Sequence, residues 1–197
     1  MSGRSDPAAA FVSGYTHHAV STPATPNVFL VGPMGSGKSA VGRQLARRLG
    51  LEFVDSDEEI AARTGVDIPY IFEREGEPSF RQREAEVIDA LTRRPNVLVA
   101  TGGGAVLRAE NRAHLRERGC VVYLRTSVDQ QLARTRRSDS RPLLNNPDPR
   151  GTLARLYAER SPLYAEVAHV TVDTDGRKVR TVVDQLCTLL GRAGDGA

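Results

Sequence analysis

The stretch Gly32-Pro33-Met34-Gly35-Ser36-Gly37-Lys38-Ser39 limits what this chain can fold into more than any other, because it matches G-x-x-x-x-G-K-[ST] at every fixed position. Residues 27–31 before it are a β-branched and aromatic run that stops at glycine, which predicts a buried strand. After it, Val41, Leu45 and Leu49 recur four apart, which predicts a helix over 38–49. A glycine-rich loop between a strand and a helix folds its backbone N–H groups into a nest that faces phosphate oxygens, and the helix adds the positive end of its dipole. Gly35, Ser36, Gly37 and Ala40 belong to that cradle. Lys38 is placed to bridge the β- and γ-phosphates, and Ser39 to put its hydroxyl on Mg²⁺. The competing explanation, a chance glycine-rich turn, does not account for the strand and helix on either side. The motif identifies a nucleoside triphosphate site and not a reaction.

The rest of the chain alternates between the two periodicities. Strands are predicted at 52–54, 97–100, 120–124 and 169–172. Helices are predicted near 57–64, 79–93, 109–118, 128–136, from about 150 to 168, and at 179–190. Residues 138–150 hold three prolines, two asparagines and two aspartates, a loop composition. Such alternation predicts an α/β fold, a parallel sheet covered by helices on both faces. With 197 residues and no internal repeat, the chain fits one domain at 27–191. Residues 1–26 are rich in Ala, Ser, Thr and Pro without periodicity, and we expect a disordered extension there. His17 and His18 lie within it without partners for a metal. Residues 192–197 are expected to form a flexible tail.

Composition removes several classes of function. No apolar run approaches the ~18 residues of a membrane span, and no secretory signal pattern opens the chain, so the cytoplasm is expected. Cys120 and Cys187 have neither metal-ligand nor redox spacing. The formal charge is +3, and of the 27 basic residues only Lys38 and Lys178 are lysines. Arginine suits bidentate capture of carboxylate and phosphate, although a GC-rich genome also produces such a bias. Aromatic residues make up 5% of the chain and no reader motif is present, so no nucleic-acid partner is expected.

Several short segments fall where a parallel sheet collects ligands, at the carboxyl ends of its strands. Asp55-Ser56-Asp57 follows the second strand. One of its aspartates can hold a metal through water and the other can accept a hydrogen bond from a hydroxyl, while helix capping is an equally simple use for Asp55 or Ser56. Thr101-Gly102-Gly103-Gly104 ends the third strand, and its glycines admit a ligand close to the backbone. Arg81 stands near the start of a helix, where a solvated arginine would be ordinary. Arg141-Pro142-Leu143-Leu144 lies in the long loop and suits a segment that closes over a site. Arg160-Ser161-Pro162-Leu163-Tyr164 puts a proline inside a helix, where a kink is expected.

Taken in order, these segments resemble the shikimate kinases: Gly-Pro-Met-Gly-Ser-Gly-Lys-Ser, Asp-Ser-Asp, Phe80-Arg81-Gln82-Arg83-Glu84, Ala100-Thr101-Gly102-Gly103-Gly104, Arg141-Pro142-Leu143-Leu144 and Glu159-Arg160-Ser161-Pro162-Leu163-Tyr164. The likeness spans about residues 27–190. It implies a P-loop fold like that of the nucleoside monophosphate kinases, with a five-stranded parallel sheet and a mobile lid. It also implies ATP-dependent phosphorylation of the shikimate 3-hydroxyl on the route to chorismate and the aromatic amino acids, with one Mg²⁺ and with ATP as co-substrate, by a monomer. By the same resemblance Asp57 contacts the ring hydroxyls as base or positioning group. Arg81 and Arg160 grip the carboxylate beside the Gly102–Gly104 backbone. Ser39 binds Mg²⁺ directly and Asp55 through water. Arg141 is the lid arginine, and Arg134 and Arg177 sit where the family meets adenine. Lys38, Asp57 and Arg141 form the catalytic set.

The chain departs from that pattern twice. Ala40 stands where many relatives have threonine, which removes a hydroxyl and keeps the N–H, and the segment before Asn27 has no counterpart. A gluconate kinase would share the phosphate motif but has no need of two arginines and a triple glycine. A non-catalytic nucleotide-binding protein would have no need of Lys38 and Asp57 together.

Overall fold

The computed structural model describes residues 26–135 and 147–194. The expectations for residues 1–25, for the lid with Arg141 and for residues 195–197 lie outside the described residues. Five strands, β1 Val28–Val31, β2 Glu52–Asp55, β3 Val97–Ala100, β4 Cys120–Arg125 and β5 Val170–Asp173, form one sheet in the order β2-β3-β1-β4-β5. Every neighbouring pair is parallel. Among the described residues, seven α-helices cover it: α1 Lys38–Leu49, α2 Ser56–Thr64, α3 Ile68–Thr92, α4 Ala109–Arg118, α5 Val128–Thr135, α6 Pro149–Val167 and α7 Val179–Gly194. The expected α/β fold, with its five-stranded parallel sheet flanked by helices, is the observed one.

β1 and β3 are apolar and buried at every residue, as strands covered on both faces must be. Their side chains still alternate between two cores. Phe29 and Val31 join Ile88, Leu91, Val99 and Leu115 on one face, and Val28 and Leu30 join Leu45, Leu98, Leu124 and Leu186 on the other. Gly119 turns the chain from α4 into β4 in extended conformation. A Cβ there would stand 2.5 Å from the Asn27 carbonyl oxygen, which already accepts the Cys120 N–H at 2.8 Å. Backbone cannot yield as a side-chain tip can, so Gly119→Ala is expected to cost about 1–3 kcal/mol by overpacking. Urea unfolding would check this, and an unchanged midpoint would contradict it.

One local expectation needs correction. The helix expected at 79–93 begins at Ile68, where Asp67 caps it by accepting the Tyr70 N–H. It is two helical pieces joined at Gly76, whose φ of 80° and ψ of 171° are open to glycine and strained for other residues. Pro78 then falls in the first turn of the second piece, where its missing N–H costs nothing. The kink expected at Pro162 does not interrupt α6, which continues helical through it. Buried Leu153, Leu156, Tyr164 and Val167 hold the helix against the core on both sides of the proline.

Candidate active site

The loops after β1, β2 and β3 all open at the carboxyl end of the sheet. Gly35 (φ 75°) and Gly37 (φ 91°) supply the left-handed conformations that curl the phosphate loop into α1. Lys38 reaches back over this loop, donating to the carbonyls of Gly32 at 2.7 Å and Pro33 at 2.9 Å. Ser39 Oγ donates to Asp55 Oδ2 at 2.6 Å, and Asp55 Oδ1 accepts the Asp57 N–H at 3.0 Å, capping α2. Asp55 therefore caps a helix, one of the uses foreseen for it, with one oxygen and pairs with the phosphate-loop serine through the other.

A cavity of about 680 Å³ joins this loop to a second set of residues. Gly35, Gly37, Lys38, Ser39 and Ala40 line one side, and Asp57, Arg81, Gly102, Gly103, Gly104 and Arg160 line the other. Ser36 is buried beneath the loop and does not line the cavity. Ser56 Oγ accepts the Gly102 N–H at 2.9 Å, tying the glycine run to the Asp-Ser-Asp turn. The Arg81 guanidinium rests on Gly104 and is braced by Glu84 at 2.7 Å and Glu77 at 2.9 Å. Phe72 and Phe80, with ring centroids 4.7 Å apart, join Ile68 and Pro69 in the apolar wall.

This second set carries buried polar atoms without partners among the described residues: Asp57 Oδ1, Glu84 Oε1 and Arg160 Nε. A buried polar atom left unpaired costs about 1–3 kcal/mol, which a ligand with matching polar groups recovers on binding. Burial pushes the Asp57 carboxyl up to about 7, with the charges of Asp55 and Glu84 adding to it and those of Lys38 and Arg81 opposing it. Burial also pushes Glu84 up, against the pull of Arg81 and then Arg160. Asp57 thus sits near the value at which a carboxyl group can accept a proton at neutral pH.

Arg134 also lines the cavity, but its fork is spent on Gly35 and Thr174, donating to their carbonyls at 3.0 Å and 2.7 Å and to the Thr174 hydroxyl at 3.2 Å. Arg177 bonds the Asp173 carbonyl at 3.1 Å and the Gln185 side chain, and it does not line the cavity. Sequence reasoning gave no role to Glu84, Phe72 or Tyr164. For Glu84 a signal existed, because a carboxylate three residues after Arg81 on one helix faces it.

Glycine at 104 lets the Arg81 guanidinium lie against the backbone. A Cβ there would meet three atoms of the Arg81 guanidinium at 2.4 to 2.5 Å, a distance no real contact tolerates. Gly104→Ala is expected to displace Arg81 and raise the KM for an anionic substrate at least tenfold, about the ~1.5 kcal/mol of one charged hydrogen bond. Steady-state kinetics check this, and an unchanged KM would show that Arg81 moves aside freely.

A family profile described as Shikimate kinase matches residues 34–190. The chain belongs to the shikimate kinase family. It is 59% identical over 163 residues to the shikimate kinase of Halorhodospira halophila, covering 83% of this chain and 92% of the relative. It is 55% identical over 161 residues to that of Psychrobacter cryohalolentis, covering 82% and 87%. The solved shikimate kinase of Acinetobacter baumannii in complex with shikimate superposes with a TM-score of 0.82 at 50% identity, covering 85% of this chain and 94% of that one. Membership makes this chain an enzyme, a shikimate kinase with the fold of that family. Among the described residues, no helix is long and apolar enough to cross a membrane.

Proposed function

We propose that this enzyme transfers the γ-phosphoryl group of ATP to the 3-hydroxyl of shikimate, giving shikimate 3-phosphate and ADP for chorismate and aromatic amino acid synthesis. The reading assigns residues 27–191 to one cytoplasmic, monomeric kinase domain. Its chief support is that Lys38 and Ser39 share one cavity with Arg81, Arg160 and Asp57. A phosphate cradle and a clamp for a carboxylate then face one another across the space where transfer must occur.

In this reading the two arginines take the shikimate carboxylate, and Arg160 Nε gains the partner it lacks. The apolar wall of Ile68, Pro69, Phe72 and Phe80 covers the carbon ring. Asp57 accepts a hydrogen bond from the hydroxyl to be phosphorylated, which gives Oδ1 its partner and orients the attacking oxygen. Phosphoryl transfer asks the protein for alignment and charge neutralisation more than for covalent help. Lys38 supplies positive charge at the transferring group, joined by Arg141 of the lid if the resemblance to the family holds there. The proton leaves the hydroxyl late in a loose transition state, and Asp57, poised near 7, is suited to receive it. Arg134 borders the nucleotide side of the cavity, and Arg177 would meet adenine only by turning from its present partners.

A magnesium ion fits the phosphate side. Ser39 Oγ and Asp55 Oδ2 are hard oxygen donors already 2.6 Å apart, and among the described residues no cluster of three or more His, Cys, Asp or Glu forms a dedicated cage. That is the usual setting for Mg²⁺, which keeps its waters and leans on substrate phosphates. Ser39 would hold it directly and Asp55 through water. The ion neutralises charge on the β- and γ-phosphates when bound.

An ADP-release assay coupled to NADH oxidation tests the reaction. Turnover with shikimate and Mg-ATP, and none with gluconate, is the expected result. Turnover of gluconate alone, or none with either substrate by well-folded protein, would refute it.

A further inference from the structure

We infer that Tyr164 is a positioning residue for the carboxylate clamp: its hydroxyl fixes the glycine peptide on which Arg81 rests, from the same helix that carries Arg160. The inference rests on the reaction proposed above. Tyr164 is buried on α6, one turn beyond Arg160, and positions four apart on a helix share a face. Its hydroxyl donates to the Gly103 carbonyl at 2.5 Å. Its ring stacks on Tyr123 of β4, with centroids 5.1 Å apart, so the sheet itself holds the phenol in place.

The Gly103 carbonyl and the Gly104 N–H belong to one planar trans peptide and point in opposite directions. Holding the carbonyl therefore sets the whole peptide plane. Gly104 is the residue against which the Arg81 guanidinium lies, so closely that no Cβ fits between them. The glycine run is held at Gly102 by Ser56 Oγ and by the Ala105 N–H on its carbonyl at 3.1 Å, and at Gly104 by the Leu107 N–H on its carbonyl at 3.0 Å. Tyr164 adds the hold on the Gly103 carbonyl between them, where glycine otherwise leaves the peptide more room to rotate. A single helix thereby presents one arginine of the clamp and, through the tyrosine one turn later, sets the bed of the other. Burial acts most strongly on the Tyr164 hydroxyl, followed by the Arg160 side chain, which hydrogen-bonds it, so the tyrosine touches the first arginine as well as the bed of the second.

The test is Tyr164→Phe, which keeps the ring and its stacking and removes only the hydroxyl. Wild-type and variant enzymes are compared in steady state with ATP and either shikimate or shikimate methyl ester, which lacks the charged carboxylate. The KM for shikimate is expected to rise about tenfold, with the KM for ATP and kcat changing less than about twofold, as loss of one hydrogen bond acting through the clamp would do. With the ester, wild type and variant should be alike, because the clamp has no carboxylate to hold. An unchanged KM for shikimate, an equal rise in both KM values, or a gap that persists with the ester would overturn the inference. Wild-type enzyme inactive on shikimate would overturn the reaction itself, and active wild type beside an unaltered variant would overturn this inference alone.

Discussion

Asp57→Asn is expected to reduce turnover by ~10²–10⁴-fold, the range for loss of a positioned acid or base, while making the ligand-free protein more stable at pH 8. Both effects have one cause. The carboxyl is raised from 3.8 to about 7, chiefly by burial and then by the neighbouring Asp55 and Glu84 charges. Between those two values the folded protein holds a proton that the unfolded chain has released. Stability from this group is therefore lost as pH rises from about 4 to about 7, and above 7 the cost is fully present. The difference sets a ceiling of about 4 kcal/mol, from which the variant's own unpaired amide subtracts. A higher melting temperature for the variant is expected at pH 8, with the advantage gone near pH 4. In wild type, kcat/KM should rise through about pH 7 as the free enzyme loses this proton, and the residual activity of the variant should lack that rise. A variant that retains near-normal turnover would remove Asp57 from the reaction. A variant whose advantage over wild type is no larger at pH 8 than at pH 4 would show that burial does not hold the Asp57 proton.

The second large effect belongs to Arg160. It is 7% exposed, and its Nε has no partner among the described residues. Removing one member of a buried charge pair costs ~2–5 kcal/mol, largely because the other charge is left unpaired. Arg160→Ala is expected to raise the KM for shikimate by about 30-fold or more on that scale, and to leave the KM for ATP within about threefold. The contrast carries the argument, because a general loosening of the carboxyl end of the sheet would weaken both substrates. Equal losses would move Arg160 from the substrate side to the framework.

Much of this site could be read from the chain because its parts are short and lie at strand ends. The phosphate loop depends on left-handed glycines at 35 and 37 and a lysine after them, all within one segment. The Asp55–Asp57 turn and the glycines at 102–104 follow β2 and β3 directly, so a parallel sheet delivers them to one edge without further information. The α/β architecture followed from the same alternation.

What escaped depends on contacts between distant segments. The first half of α3 was hidden by Glu75-Gly76-Glu77-Pro78, which reads as a loop and is instead a junction between two helical pieces. Glu84 looks like a surface carboxylate in a charged run, yet it is 1% exposed, because Arg81 folds over it and the glycine loop closes above. Pro162, where local rules predict a kink, leaves α6 helical, with buried residues packed on both sides of it. Tyr164 reads as one more apolar helix residue, and only the position of Gly103 across the site gives its hydroxyl a partner.

A crystal structure with shikimate, ADP and Mg²⁺ bound together is the most direct measurement. The shikimate carboxylate should lie between Arg81 and Arg160, with its 3-hydroxyl within hydrogen-bond reach of Asp57 and turned towards the β-phosphate cradled above Lys38. Shikimate lodged elsewhere, or held with its carboxylate towards the phosphates, would contradict the arrangement from which every role here is argued.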